Sequence, residues 1–218
     1  MKQLYLTLSV GLAMIPTAAM SQSTLFDFNN GPRYASVPLD QVSGNIRAHF
    51  TATGQGFSIQ YTPEVIGMMP AGFDGFGLTP NSVFPSDLMV SFFDFSTGNP
   101  LFLSDASIMV APQELACDSS STMKISAYSG TTFVGSNTAI TADQNYTWPL
   151  INLDFSSTTP FDNIVIHFQS GPPTGGDWGP IFAADNLLVT PSPVPEPASI
   201  IGLAIGALAL CQRFRRKE

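Results

Sequence analysis

Positive charge is almost missing from the body of this chain. Its eight basic residues are Lys2, Arg33, Arg47, Lys124 and a terminal group of Arg213, Arg215, Arg216 and Lys217. All of the sixteen carboxylates except Glu196 and Glu218 lie between Ser23 and Thr190. A domain with that balance will not bind nucleic acid by neutralising phosphates, so no nucleic-acid partner is expected. It can attract cations such as Ca²⁺, and surplus carboxylate also keeps an exported protein soluble. Charge of either sign is scarce, at 11% of residues, against about 25% in ordinary soluble domains.

Reactive side chains are equally sparse. The only cysteines are Cys117 and Cys211. A bridge between them would tie the domain to an apolar tail, so no disulfide is expected, and Cys117 reads as a small semi-buried residue. The only histidines, His49 and His167, fall on the polar side of strand-like alternations. The sequence lacks a Gly-x-Ser-x-Gly elbow, a His-Glu-x-x-His zinc motif, a cysteine cluster and a glycine-rich phosphate loop. An acid pair for glycoside hydrolysis depends on separation in space, which a sequence does not display. The expectation is a non-enzymatic protein. The alternatives are a secreted polysaccharide-acting hydrolase with a dispersed carboxylate site and a purely structural surface protein.

What is present is organised from the ends inward. Residues 1–21 read as a secretory signal peptide, to be removed by signal peptidase. Lys2 supplies the positive start, Leu4 to Ile15 is an apolar run of 12 residues, and Thr17, Ala18 and Ala19 are small. At the other end, residues 191–194 form a Pro/Ser linker and residues 195–218 form a tail. Its triplet Pro195-Glu196-Pro197 precedes an apolar stretch rich in Gly and Ala, and a basic cluster follows it. As a helix, the 14 residues Ala198 to Cys211 would extend about 21 Å at about 1.5 Å per residue. That is short for a hydrocarbon core of roughly 30 Å. Arg213, Arg215, Arg216 and Lys217 would stay cytoplasmic by the positive-inside rule, leaving the domain facing outward.

This arrangement resembles the PEP-CTERM sorting signal of Gram-negative bacteria. Triplet, short apolar helix and terminal arginines occur in the same order at the chain end. The resemblance implies an exosortase as partner and cleavage near Pro195-Glu196-Pro197. It also implies anchoring in the inner membrane before processing, and a final place at the cell surface or in the extracellular matrix, in contact with exopolysaccharide.

Between the ends, residues 22–190 carry strand signals. Ile46, Ala48 and Phe50 alternate with Arg47, His49 and Thr51; Phe57, Ile59 and Tyr61 alternate with Ser58 and Gln60. Leu88 to Phe95 is apolar on both faces, as in a central strand. Met123, Ile125 and Ala127 share one face, and Ser129-Gly130 turns the chain into Thr132-Phe133-Val134. Ile164, Ile166 and Phe168 share another face, and Asn186 to Thr190 is the last strand. Turns rich in Gly and Pro, 18 residues of each, separate these runs. No repeat of fixed period is visible. The expected fold is all-β: an antiparallel two-sheet sandwich of the jelly-roll kind, flanked by a signal helix and a C-terminal transmembrane helix.

The run Phe161 to Ile166, a loop, and then Phe182 to Val189 is similar to the end of galactose-binding-like jelly rolls. In such domains the first and last strands lie together and often hold a structural Ca²⁺. The resemblance nominates Asp27, in the first strand, and Asp185, opening the last, as oxygen ligands; the alternative is that both only cap turns. Trp178, in a glycine-rich loop, is the candidate platform for a sugar ring, with Trp148 a weaker one.

Overall fold

Alternation of apolar and polar side chains makes one face of each strand bury and leaves the other wet. In the computed structural model this alternation builds two antiparallel sheets. The structure describes residues 22–63, 70, 72–112, 121–140, 150–170 and 181–193. Ser21–Ser192 form one compact unit, and the account below concerns that unit. The expected signal and transmembrane helices lie outside the described residues.

Twelve strands run in chain order: β1 Thr24–Phe26, β2 Leu39–Ser43, β3 Ile46–Ala52, β4 Phe57–Tyr61, β5 Phe76–Pro80 and β6 Leu88–Asp94; then β7 Leu103–Pro112, β8 Thr122–Ser129, β9 Thr132–Ile140, β10 Ile151–Phe161, β11 Asn163–Ser170 and β12 Phe182–Pro191. One sheet has the order β10-β7-β12-β5-β4, with β1 also paired to β12. The other has the order β2-β3-β6-β11-β8-β9. From β5 onward the chain passes to the opposite sheet at every step except the β8–β9 hairpin.

The inner faces meet in one apolar core. β3 contributes Ile46, Ala48 and Phe50; β6 contributes Leu88, Val90 and Phe92; β8 contributes Met123, Ile125 and Ala127. Facing them are Ala106, Ile108 and Val110 of β7 and Phe182, Ala184, Leu187 and Val189 of β12. Phenylalanines lock the layers edge to face: Phe28 on Phe50 at 5.3 Å between ring centres, and Phe155 on Phe161 at 5.3 Å. Each fully buried large side chain contributes roughly 1.5–3 kcal/mol, and edge-to-face pairs add somewhat more.

Strand β12 is the keystone of its sheet. On one flank it pairs with β7 from Phe182 to Pro191; on the other, Ala184 pairs with Leu78 of β5, and Leu187 to Val189 pair with β1. Its register slips between Asp185 and Leu188, where Asn186 takes φ 50°. An asparagine tolerates that left-handed conformation better than most residues. The slip is a β-bulge: one extra residue enters, and the inward face passes from Phe182 and Ala184 to Leu187 and Val189.

Candidate functional site

The outward residues of β12 before the bulge are Ala183 and Asp185. A sheet face normally leaves such positions wet, but a segment folds over them. Phe73 packs on Ala111 and Ala183 as a second small apolar cluster, with Met109 and Leu150 at its margin. Asp185 is thereby fully buried, at 0% exposure.

Side chains from three separate stretches pin that cover. Asn29, after β1, donates from Nδ2 to Asp74 Oδ1 at 2.8 Å and accepts at Oδ1 from the Phe76 amide at 3.0 Å. Asn186 donates from Nδ2 to the Gly72 carbonyl at 3.0 Å. The Thr62 amide donates to the Gly75 carbonyl at 3.0 Å. Gly75 has φ 148°, and a Cβ there would stand 2.7 Å from Asn29 Oδ1. Glycine is required at that position both by backbone conformation and by the closeness of Asn29.

Within this enclosure Asp185 is only half satisfied. Its Oδ1 accepts from the Asn186 amide at 2.7 Å. Its Oδ2 is buried and has no hydrogen-bond partner. Burial pushes the carboxyl up to about 7, the Asp74 and Asp27 carboxylates push the same way, and the amides of Asn186 and Asp74 oppose them. An orphaned buried carboxylate oxygen costs on the order of 1–3 kcal/mol, more when charged. A proton or a cation would relieve it.

The two sequence-derived ligands thus occupy one neighbourhood, but not in the expected strand positions. Asp27 follows β1 rather than lying in it, and Asp185 stands within β12, which begins at Phe182. The strand starts earlier because Phe182, Ala183 and Ala184 are apolar on both sides and pair with Pro112, Ala111 and Val110. Asp74 and Asn29 join the neighbourhood and were not foreseen. The one sequence signal for Asp74 was its place in the glycine-bracketed run Gly72-Phe73-Asp74-Gly75. Hard oxygen donors of this kind fit Ca²⁺, and the bare Oδ2 of Asp185 is the direction from which an ion would be held. Among the described residues, no three His, Cys, Asp or Glu side chains already converge on one point. An ion would have to draw Asp27 and Asp74 in toward Asp185.

The histidines stay apart, on strands β3 and β11 with β6 between them. Each meets its own carboxylate on the outer face: His49 Nδ1 lies 2.5 Å from Asp40 Oδ1, and His167 Nδ1 lies 2.6 Å from Asp87 Oδ1. Arg47 lies over the Phe93 ring, 4.6 Å from its centre. Trp148, Trp178, Cys117, Pro195, Glu196, Pro197 and the basic cluster lie outside the described residues.

A groove of about 420 Å³ opens at the sandwich edge, between β1 with the loop after it and β2. Leu25, Leu39 and Ile59 supply apolar wall, and Asp27, Asp40 and Gln41 supply polar wall. Both β1 and β2 are terminal in their sheets, so nothing in the strand order closes this edge.

The described residues therefore make a two-sheet antiparallel β domain with a half-satisfied carboxylate where its first and last strands meet. Residues 193–217 match the model of the PEP-CTERM protein-sorting motif, and the chain carries that motif directly after β12. The motif implies export, membrane-anchored sorting and processing by an exosortase. A search of curated proteins returned no match in sequence.

Solved structures similar to the chain include the K1 cleaved adhesin domain of Lys-gingipain from Porphyromonas gingivalis W83. It is 15% identical, with 77% of this chain and 97% of that one covered and a TM-score of 0.40. Another is CBM29_1, a family 29 carbohydrate binding module from Piromyces equi. It is 10% identical over 78% and 91% of the two chains, with a TM-score of 0.34.

Proposed function

We propose that this is a non-enzymatic surface protein, released from its membrane tail by an exosortase and held in the extracellular matrix through association with exopolysaccharide. The observation that carries the reading is the sorting motif at residues 193–217, beginning two residues after β12 ends at Pro191. A chain with a folded β domain followed at once by a sorting tail is built to be delivered and displayed. The strand order β5-β12-β7-β10 over β6-β11-β8-β9 supports the jelly-roll reading. A structural Ca²⁺ at Asp185, with Asp74 and Asp27, would tie the loop after β1 and the loop before β5 to β12.

Cell fractionation tests the reading. The wild-type protein is expected in the surface or matrix fraction without its basic tail. Glu196→Ala is expected to stay in the inner membrane with Arg213 to Lys217 attached. Normal surface levels of a tail-free Glu196→Ala protein would show that the triplet is not what the exosortase reads.

A further inference from the structure

We propose that the edge groove between β1 and β2 binds a neutral, hydroxyl-bearing sugar residue through Gln41. This rests on the exopolysaccharide reading above and narrows it to one site and one class of saccharide.

Gln41 sits in the middle of β2, whose residues alternate between the two sides of the sheet. Asp40 and Val42 are exposed on the outer side, while Leu39, Gln41 and Ser43 are half-buried. Leu39 packs against the core, so Gln41, two residues on, shares the inward side at the sandwich edge. An apolar residue would seal such an edge. Here the seal is an amide, and its Oε1 is buried without a hydrogen-bond partner. Buried polar atoms without partners are rare because each one costs free energy. One that lines an open groove is satisfied when a donor enters.

The rest of the groove states which donor. Asp27 and Asp40 add carboxylate acceptors. Asp40 is already engaged by His49 at 2.5 Å and lies 4.0 Å from Arg47, which fixes its position. Leu25, Leu39 and Ile59 offer the apolar surface against which the C–H side of a pyranose ring packs. Among the described residues lining the groove there is no lysine or arginine, so an anionic ligand such as a uronate would meet like charge without a counterion. A volume of about 420 Å³ falls within the roughly 300–1,000 Å³ of small-molecule sites. Acceptor-rich, cation-free and part apolar, the groove selects a neutral sugar and rejects an acidic one.

The test uses the full chain in a zwitterionic, sugar-free detergent, titrated calorimetrically with methyl glycosides of glucose, galactose and mannose and with methyl glucuronide. At least one neutral glycoside is expected to bind saturably, and the glucuronide at least tenfold more weakly. Gln41→Leu is expected to lose at least tenfold in affinity for that glycoside with an unchanged melting curve. Gln41→Glu, which keeps an acceptor, should stay closer to wild type than Gln41→Leu does. The proposal is overturned by tighter binding of the glucuronide, by no binding of any neutral glycoside, or by an affinity that Gln41→Leu leaves intact. If matrix polysaccharide is still retained by Gln41→Leu, the groove is wrong while the surface reading stands. Should the wild-type chain fail to reach the surface, the wider reading falls independently of the groove.

Discussion

Asp185 concentrates the electrostatic stress of the domain. Its carboxyl titrates near 7 in the fold, against 3.8 for the ordinary group. The folded state therefore holds the proton more tightly than the unfolded chain. Without a cation, stability should fall as pH rises from about 4, with the loss complete above 7. At about 1.4 kcal/mol per unit, the loss is on the order of a few kcal/mol. Asp185→Asn should flatten this dependence and raise the melting temperature at pH 8 in chelator. Wild type and variant melting alike across pH 5 to 8 would mean that the carboxyl is not held in this way.

The same oxygen predicts a calcium response. An ion bound only to the folded state, at about 100 times its dissociation constant, adds roughly 2.7 kcal/mol. Millimolar Ca²⁺ should raise the melting temperature above that in chelator by several degrees, at about 2–4 °C per kcal/mol. Because the ion displaces a proton, the response should shrink below pH 7 and vanish in Asp185→Asn. Identical melting curves with chelator and with Ca²⁺ at pH 8 would remove the metal and leave the carboxylate as a proton site.

Among elements, legibility followed alternation. Ile46–Ala52 was read with its final bounds because every second residue is apolar and the flanks are polar. Met123, Ile125 and Ala127, and Ile164 and Ile166, were placed on buried faces for the same reason, and all are buried. The missed strands are those whose pattern is diluted. β5, Phe76-Gly77-Leu78-Thr79-Pro80, reads as loop, and β2 carries an acid and an amide on a sheet edge. β10 does alternate through Ile151, Leu153 and Phe155, but its Ser and Thr run and Pro160 disguise its length. The carboxylate site was half legible: resemblance located Asp27 and Asp185, whereas Asp74 arrives through a loop whose path depends on Gly75 and Asn29. Gln41 carried no sequence signal, since an unpaired acceptor is a fact of packing.

The cover over β12 can be tested as an element. Gly75→Ala places a Cβ 2.7 Å from Asn29 Oδ1 on a backbone of φ 148°. It should destabilise the domain by more than about 1 kcal/mol. Its calcium response should also weaken, because Asp74 moves with the loop. A Gly75→Ala protein with wild-type melting and calcium response would show that the cover does not position Asp74. Between the layers, Phe50→Ala removes the partner of Phe28 and should cost about 3–5 kcal/mol, measured by denaturant unfolding.

For the whole molecule, the pairing of β1 with β12 decides how the domain carries load. A surface protein retained through its C-terminal end feels tension along β12. Thr24 opposes Val189, and Ser23 Oγ lies 2.8 Å from Thr190 Oγ1, so the two ends of the domain leave side by side. Pulling them apart peels β1 from β12 one rung at a time. Pulling from residue 193 against the β8–β9 hairpin instead draws β12 lengthwise between β7 on one side and β1 with β5 on the other, so many hydrogen bonds must break together. Forced unfolding reports the barrier rather than the equilibrium. Optical-tweezer handles at positions 193 and Thr131→Cys should therefore give a higher rupture force than handles at 22 and 193. Equal forces in the two geometries would mean that β12 does not bear the load. On this geometry the domain resists shear through its tether and yields readily only when its own two ends are drawn apart.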